Sequence, residues 1–248
     1  MKQFSWCGYE WISQERWGQI RPSHPYQWYD EDCIRVVSGD LVLSARNKER
    51  EFELSDGTKV MSKVAIGFAS CLERFGYGEF SVDIKLPKGR NLWCAFWMWA
   101  FDTEQEPYEY SEIDCVEAYT DRKGRYFRFD WRQPLSWFRL ESNLHYDVGQ
   151  HGNKWHKQSG VVKKFLGLSS RRFTDRFMNY KVIYSPDCIE VYYGGKLVRR
   201  ETDSDLMKEF GGNPMNAILN YSFSDKVQWS DVEDCTDMVC RNFKYTPM

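Results

Sequence analysis

The stretch Tyr110–Tyr119 places three acids, Glu112, Asp114 and Glu117, within six residues. β-Forming residues separate them, so the segment is expected to be a strand. Side chains alternate along a strand, which puts Glu112 and Asp114 on one face. Regular alternation turns Glu117 away, and one extra residue, a β-bulge at Cys115–Val116, returns it to the others. Crowding three carboxyls gains no packing and sets like charges against each other. It suits cleavage of a glycosidic bond, which needs one carboxylic acid to protonate the leaving oxygen and one carboxylate to meet the anomeric carbon. A third acid between them raises one pKa and keeps that group protonated. The two glutamate backbones would stand about 13 Å apart on a strand rising about 3.3 Å per residue. Bending and side chains leaning together must then bring the carboxyls to the roughly 5–5.5 Å of a retaining mechanism. By itself so short a motif also fits a solvated acidic face or a calcium site.

The elements around the motif decide between these readings. Upstream the chain reads Leu92-Trp93-Cys94-Ala95-Phe96-Trp97-Met98-Trp99. A β-run that buries Phe96 and Met98 leaves Trp93, Trp97 and Trp99 on the opposite face, where three rings in solvent would favour aggregation unless they line a groove. Aromatic residues make up 17% of the chain, with eleven Trp. That exceeds what one core needs and fits rings stacking on sugars as well as on each other. Strand signals recur: Phe80, Val82, Ile84 and Leu86 alternate with polar residues before Pro87-Lys88-Gly89. Leu41–Ala45 follows the turn Ser38-Gly39-Asp40. Tyr180–Tyr184 and Ile189–Tyr193 flank Ser185-Pro186-Asp187 as a hairpin, and Gly194-Gly195 leads into Lys196–Val198. Only Ser204–Phe210 reads as a helix, with Ser204 or Asp205 as cap. Residues 121–142 and 149–170 read as long loops, the usual place for binding surfaces on a rigid scaffold. The fold class is all-β, a sandwich or barrel, with residues 1–248 expected as one domain.

Charge is nearly balanced, 34 Lys+Arg against 36 Asp+Glu. No basic stripe supports nucleic acid or an anionic membrane as partner. The run Leu92–Phe101 has about half the residues a membrane span needs. Among the eight Cys there is no C-x-x-C pair. Cys94 and Cys115 lie in apolar runs and read as buried free thiols, which favours a reducing compartment or a fold indifferent to oxidation. Met1–Trp6 has no apolar h-region of an export signal.

The order of these segments resembles glycoside hydrolase family 16, the laminarinase, lichenase, agarase and carrageenase group. The matching residues are Phe75–Phe80, Lys85–Gly89, Leu92–Trp97 and Glu112-Ile113-Asp114-Cys115-Val116-Glu117. Asn143–Tyr146, Tyr180–Asp187 and Ile218–Asn220 follow in the same order, so the resemblance runs from about Glu10 to the C-terminus. It implies a concanavalin-like β-jelly-roll of two curved antiparallel sheets with the substrate in a concave cleft. The residues alone leave the two glutamates interchangeable. The resemblance implies that Glu112 is the nucleophile, Asp114 the assisting acid and Glu117 the general acid/base. It places Trp97 and Trp99 among the cleft aromatics and His145 facing the sugar. Tyr110, where many members have Trp or Pro, joins Trp93 and Asn220 as further substrate-binding candidates. Cys115-Val116 matches the longer, bulged motif of laminarinases, agarases and carrageenases. Around Ser70-Cys71 many members carry an Arg that binds sugar hydroxyls or sulfate, and this sequence has no clear equivalent.

The expected activity is endo-acting, retaining hydrolysis of a β-linked polysaccharide, a β-1,3- or mixed-linkage glucan or a β-galactan. A carbohydrate-binding or adhesion protein on the same sandwich is the alternative from another class, and the retained acid trio counts against it. Transglycosylation, which uses the same nucleophile but passes the glycosyl unit to another sugar instead of water, is a third reading. No cofactor is expected. Family habit allows a structural calcium, which no local acid cluster designates, and the spacing of His145, His151 and His156 fits no zinc pattern. The expected partner is the polysaccharide alone, with no nucleic acid, no membrane and a monomeric state. An extracellular setting is expected from the substrate class and from nothing else in the sequence.

Overall fold

Three β-sheets build the protein in this computed structural model. It describes all residues except 16–17, 22, 102–109, 127–139, 148–154, 162–170 and 225–226, and describes 101, 110, 147, 155–161 and 171–172 by backbone alone. An eight-stranded antiparallel sheet runs in space Gln3–Trp6, Tyr9–Ile12, Phe68–Cys71, Asn216–Asn220, Trp93–Phe101, Tyr110–Tyr119, Leu140–Asp147, Trp155–Val161. A seven-stranded sheet runs Lys196–Glu201, Ile189–Tyr193, Met178–Tyr184, Gly78–Lys85, Met238–Pro247, Asp40–Leu43, Ile34–Val37. The third sheet, Gln27–Tyr29, Lys59–Ile66 and Ala45–Glu53, includes a parallel pair between Gln27–Tyr29 and Lys59–Ile66.

One core joins the two large sheets. Phe80, Val82 and Ile84 are fully buried, as their alternation predicts, beside Tyr180, Val182 and Tyr184. Cys94, Phe96 and Met98 face the same core, with Ile113, Cys115, Val116 and Ala118 from the acidic strand. All eight cysteines are free thiols, and burial pushes Cys94 and Cys115 upward from their ordinary pKa.

Local readings hold or shift in identifiable ways. The hairpin Met178–Tyr184/Ile189–Tyr193 forms in register. The helix spans Ser204–Phe210, and its cap is Asp203 rather than Ser204 or Asp205: the Asp203 carboxylate accepts from the amides of Asp205 and Leu206. Gly211 ends it at φ 53°, the left-handed turn that suits glycine. Two shorter helices, Arg171–Thr174 and Trp229–Glu233, had no periodic signal. The segment expected as a loop over 149–170 contains the strand Trp155–Val161, paired along Leu140–Asp147. Its mixed polar sequence carries no alternation, so neighbour pairing rather than pattern makes it a strand.

The bulge in the acidic strand has a visible support. Phe96 pairs with Val116 but Trp97 with Asp114, so Cys115 is the extra residue on that side. On the other side Asp114 pairs with Asn143 and Glu117 with Glu141, so Cys115 and Val116 both stand opposite Ser142. A bulge leaves backbone groups without ladder partners. Here Ser142 Oγ donates to the Asp114 carbonyl at 2.9 Å. The buried Tyr193 hydroxyl, from the other large sheet, donates to the Cys115 carbonyl at 2.8 Å and lies 3.1 Å from that of Glu141. Tyr193→Phe removes this donor and strands a buried carbonyl, so chemical denaturation should show a loss of about 1–3 kcal/mol. An unchanged unfolding midpoint would mean that the bulge stands without it.

Candidate active site

Registering the three central strands explains which side chains meet. Glu112, Asp114, Glu117 and Tyr119 stand opposite Trp99, Trp97, Ala95 and Trp93 on one neighbour. On the other neighbour His145, Asn143 and Glu141 stand opposite Glu112, Asp114 and Glu117. The bulge therefore gives all three acids one face, as the spacing requires. A cleft of about 370 Å³ opens over that face. Its wall holds Glu112, Asp114, Glu117, Trp93, Trp97, Tyr119, His145 and Asn220 from the eight-stranded sheet. Glu15, Arg21, His24, Gln27 and Tyr29 from the N-terminal part of the chain close one side.

Glu117 is buried, and its carboxyl is held at both oxygens. Oε1 accepts from the Trp93 indole N–H at 2.8 Å and from the Tyr119 hydroxyl at 2.9 Å. Oε2 meets the Asn143 side-chain amide. Burial, with Glu117 beside it, raises the Tyr119 phenol far above its ordinary pKa, so Tyr119 remains a donor. Asp114 is buried, and the imidazole of His145 lies against both it and Glu112. His145 Nε2 lies 3.2 Å from Asp114 Oδ2 and 3.8 Å from Glu112 Oε1. The possible ligating atoms of Glu112, Asp114 and His145 all fall within 4.8 Å of one another, close enough to hold a cation.

The aromatic candidates separate by depth. Trp93 is partly buried, stacks on Tyr119 at 5.8 Å and 12°, and meets the His24 ring at 5.3 Å. Trp97 is only 6% exposed and belongs to the core, with one edge in the cleft wall. Its indole N–H donates to Asn220 Oδ1 at 2.8 Å, and the Asn220 amide donates to Ser222 Oγ at 3.0 Å. Asn220 thus orients a ring as well as lining the cleft. Trp99 packs against the core and tilts over Trp97 at 6.0 Å and 40°, outside the described cleft lining. The Tyr110 side chain, His151 and the side chain of His156 lie outside the described residues, as does most of the region 121–142.

Sequence reasoning missed Tyr119, Asn143, Glu15, Arg21 and His24. The first two carried a signal: Tyr119 is two residues beyond Glu117, and Asn143 two before His145, so period two puts each on the cleft face. The other three had none, since they lie far from the acids in sequence. Glu15 is 2% exposed, and the Tyr29 hydroxyl donates to its Oε1 at 2.7 Å. Burial pushes its pKa up to about 7, against the pull of the Tyr29 hydrogen bond and Arg21, with the charge of Glu112 adding to the rise.

A family model described as "Glycosyl hydrolases family 16" matches residues 27–234. Among solved structures, porphyranase B from Zobellia galactanivorans is similar at TM-score 0.69 and 16% identity, covering 95% of this chain and 85% of that one. The kappa-carrageenase from Pseudoalteromonas carrageenovora, in complex with an oligotetrasaccharide of kappa-carrageenan, aligns at 0.64 and 18%, covering 89% and 86%. The catalytic domain of an endo-1,3-beta-glucanase (laminarinase) from Thermotoga petrophila RKU-1 aligns at 0.60 and 19%, covering 89% and 83%. At these identities the likeness establishes the jelly-roll fold. No curated protein sequence matches.

Two outcomes follow from the burial seen here. Trp97→Ala empties a core site and should lower unfolding free energy by about 3–5 kcal/mol; an unchanged melting transition would place the ring in the cleft instead. Glu15 is neutral when folded and ionised when unfolded over the window from its ordinary pKa of 4.5 to about 7. Its folded value is raised, so stability falls as pH rises through that window, by on the order of 3 kcal/mol. Melting curves of Glu15→Gln should lack this contribution; a fall with pH as steep as in wild type would assign the effect to other groups.

Proposed function

This chain belongs to glycosyl hydrolase family 16, and on that footing we propose that it is an endo-acting, retaining hydrolase of a β-linked polysaccharide, with Glu112 as nucleophile and Glu117 as general acid/base. As a member of that family the chain is a glycoside hydrolase. What carries the finer reading is the bulge: it gathers Glu112, Asp114 and Glu117 on one face, under a cleft with aromatic rings in its wall.

In the first step a Glu112 oxygen attacks the anomeric carbon, and Glu117 gives its proton to the departing glycosidic oxygen. A glycosyl ester on Glu112 results. Glu117, now a carboxylate, takes a proton from water, and that water attacks the same carbon and frees Glu112. The side chains around Glu117 suit both of its states. Trp93 and Tyr119 hold Oε1 by donation, leaving Oε2 as the oxygen that exchanges the proton. The Asn143 amide beside Oε2 can donate N–H to the carboxylate or, turned over, accept from the acid through Oδ1, which is buried with no other hydrogen-bond partner among the described residues. Asp114 and His145 sit beside Glu112, with the imidazole Nε2 reaching toward both carboxyls. Trp93 offers the cleft its most open indole and is the first candidate for stacking on a sugar ring.

A cleft on a sheet face admits an internal stretch of polymer, which supports endo cleavage. The similar structures are a porphyranase, a carrageenase and a laminarinase, so β-galactans and β-1,3-glucans are the polymers to try first. The proposal takes the chain as one catalytic domain acting as a monomer. Reducing-end release from laminarin, barley mixed-linkage β-glucan, agarose, porphyran and kappa-carrageenan tests it. Glu117→Gln should lose about 10²–10⁴-fold in kcat, the usual worth of a general acid/base, and Glu112→Gln at least as much, with melting transitions intact. An active Glu112→Gln enzyme would sink the assignment. Retention on a polymer without any cleavage by wild type would favour a binding protein.

A further inference from the structure

Glu15 is the fourth carboxyl of the cleft, and the steps above do not use it. It lies on the irregular segment between Tyr9–Ile12 and Gln27–Tyr29, where it bridges to Gly18. Its surroundings are built rather than incidental. The Tyr29 ring packs at 4.4 Å on Phe68, itself a cleft residue, and its hydroxyl fixes Oε1. Oε2 is buried and has no hydrogen-bond partner among the described residues. A buried polar oxygen left without a partner is costly, and such an atom in the wall of a binding cleft is one that a ligand satisfies.

We propose that Glu15 is a further substrate-binding residue, whose Oε2 hydrogen-bonds an oxygen of the glycan unit lying along the Glu15–His24 side of the cleft. The inference rests on the hydrolase reading and adds a contact to it. The groups facing Glu15 set the form in which it binds. Tyr29 donates to Oε1 and so leaves Oε2 to carry the proton. Arg21 favours the anion and Glu112 disfavours it, while burial outweighs both. The neutral acid is then the form present below about pH 7. A sugar ring laid over this wall removes what water remains and disfavours the anion further, so substrate binds the protonated carboxyl and takes up a proton where that carboxyl is ionised. Glutamine reproduces the neutral form: its oxygen accepts from Tyr29 and its N–H₂ donates to the sugar. Alanine does neither.

The test is the split between KM and kcat for wild type, Glu15→Gln and Glu15→Ala on the same five polymers, from about pH 5 to about pH 9, spanning the carboxyl's midpoint. Glu15→Ala should raise KM about tenfold at the acid end, the worth of one hydrogen bond to a buried polar group, with a much smaller change in kcat. Wild-type KM should climb above about pH 7, whereas Glu15→Gln should keep the low wild-type value and stay flat. A role confined to folding would shift the melting transition and leave this pH dependence of KM in place. Wild-type KM and wild-type pH dependence in Glu15→Gln would overturn the proposal, and this variant decides the matter even if Glu15→Ala fails to fold. If Glu112→Gln is inactive while both Glu15 variants track wild type, the hydrolase reading stands and the Glu15 contact falls. A wild type that neither cleaves nor is retained by any of the polymers would sink both.

Discussion

A single bulge in the acidic strand decides which of its carboxyls share a face. Without the bulge at Cys115, the period of two would bury Glu117 in the core and present Val116 to the cleft. Burying an unpaired glutamate there would cost several kcal/mol or force it to stay neutral. With the bulge, Glu117 faces the cleft opposite Ala95, whose small side chain leaves room for the neighbouring Trp93 to reach the carboxyl. The distortion is offset from both sides. Ser142 supplies a hydroxyl from the adjacent strand, and Tyr193 supplies one from the opposing sheet. The sandwich core thus reaches through the sheet to hold the acidic strand in its irregular form.

Crowding carboxyls is unfavourable, and the site meets that cost with donors rather than with distance. Glu117 takes hydrogen bonds from Trp93 and Tyr119 and meets the Asn143 amide, while His145 lies between Asp114 and Glu112. Each of these partners comes from the acidic strand or from one of the two strands beside it. Register alone therefore positions them, and no loop has to close for the central machinery to form. The N-terminal segment contributes a different kind of wall. Its Glu15, Arg21 and His24 lie outside the eight-stranded sheet, and the Tyr29 ring packed on Phe68 ties that part of the chain to it.

This division explains what could be read from the sequence. The strand Gly78–Lys85, the Met178–Tyr193 hairpin, the acidic strand and its bulge were legible because each is a local pattern of period two interrupted at a known place. The helix cap moved by one residue to Asp203, which is within the usual uncertainty of a helix end. The tryptophan face was legible as a face but not in depth: Asn220, brought alongside by a distant strand, draws Trp97 inward. Glu15 was illegible because nothing near it in the chain marks a buried carboxyl. Only the fold brings it beneath the same cleft as Glu112. The strand Trp155–Val161 was hidden for the same reason, being made by its neighbour rather than by its composition.

On the proposed assignment Glu112 and Glu117, brought to one face by the bulge, act by double displacement. Proton NMR of the first reducing ends released from the polymer that the enzyme cleaves tests this most directly, because it reads anomeric configuration before mutarotation. Two displacements at one carbon return the β-configuration, so the β-anomer should appear first and the α-anomer only as mutarotation proceeds. Initial appearance of the α-anomer would mean a single displacement by water, and would contradict the assignment of Glu112 as nucleophile.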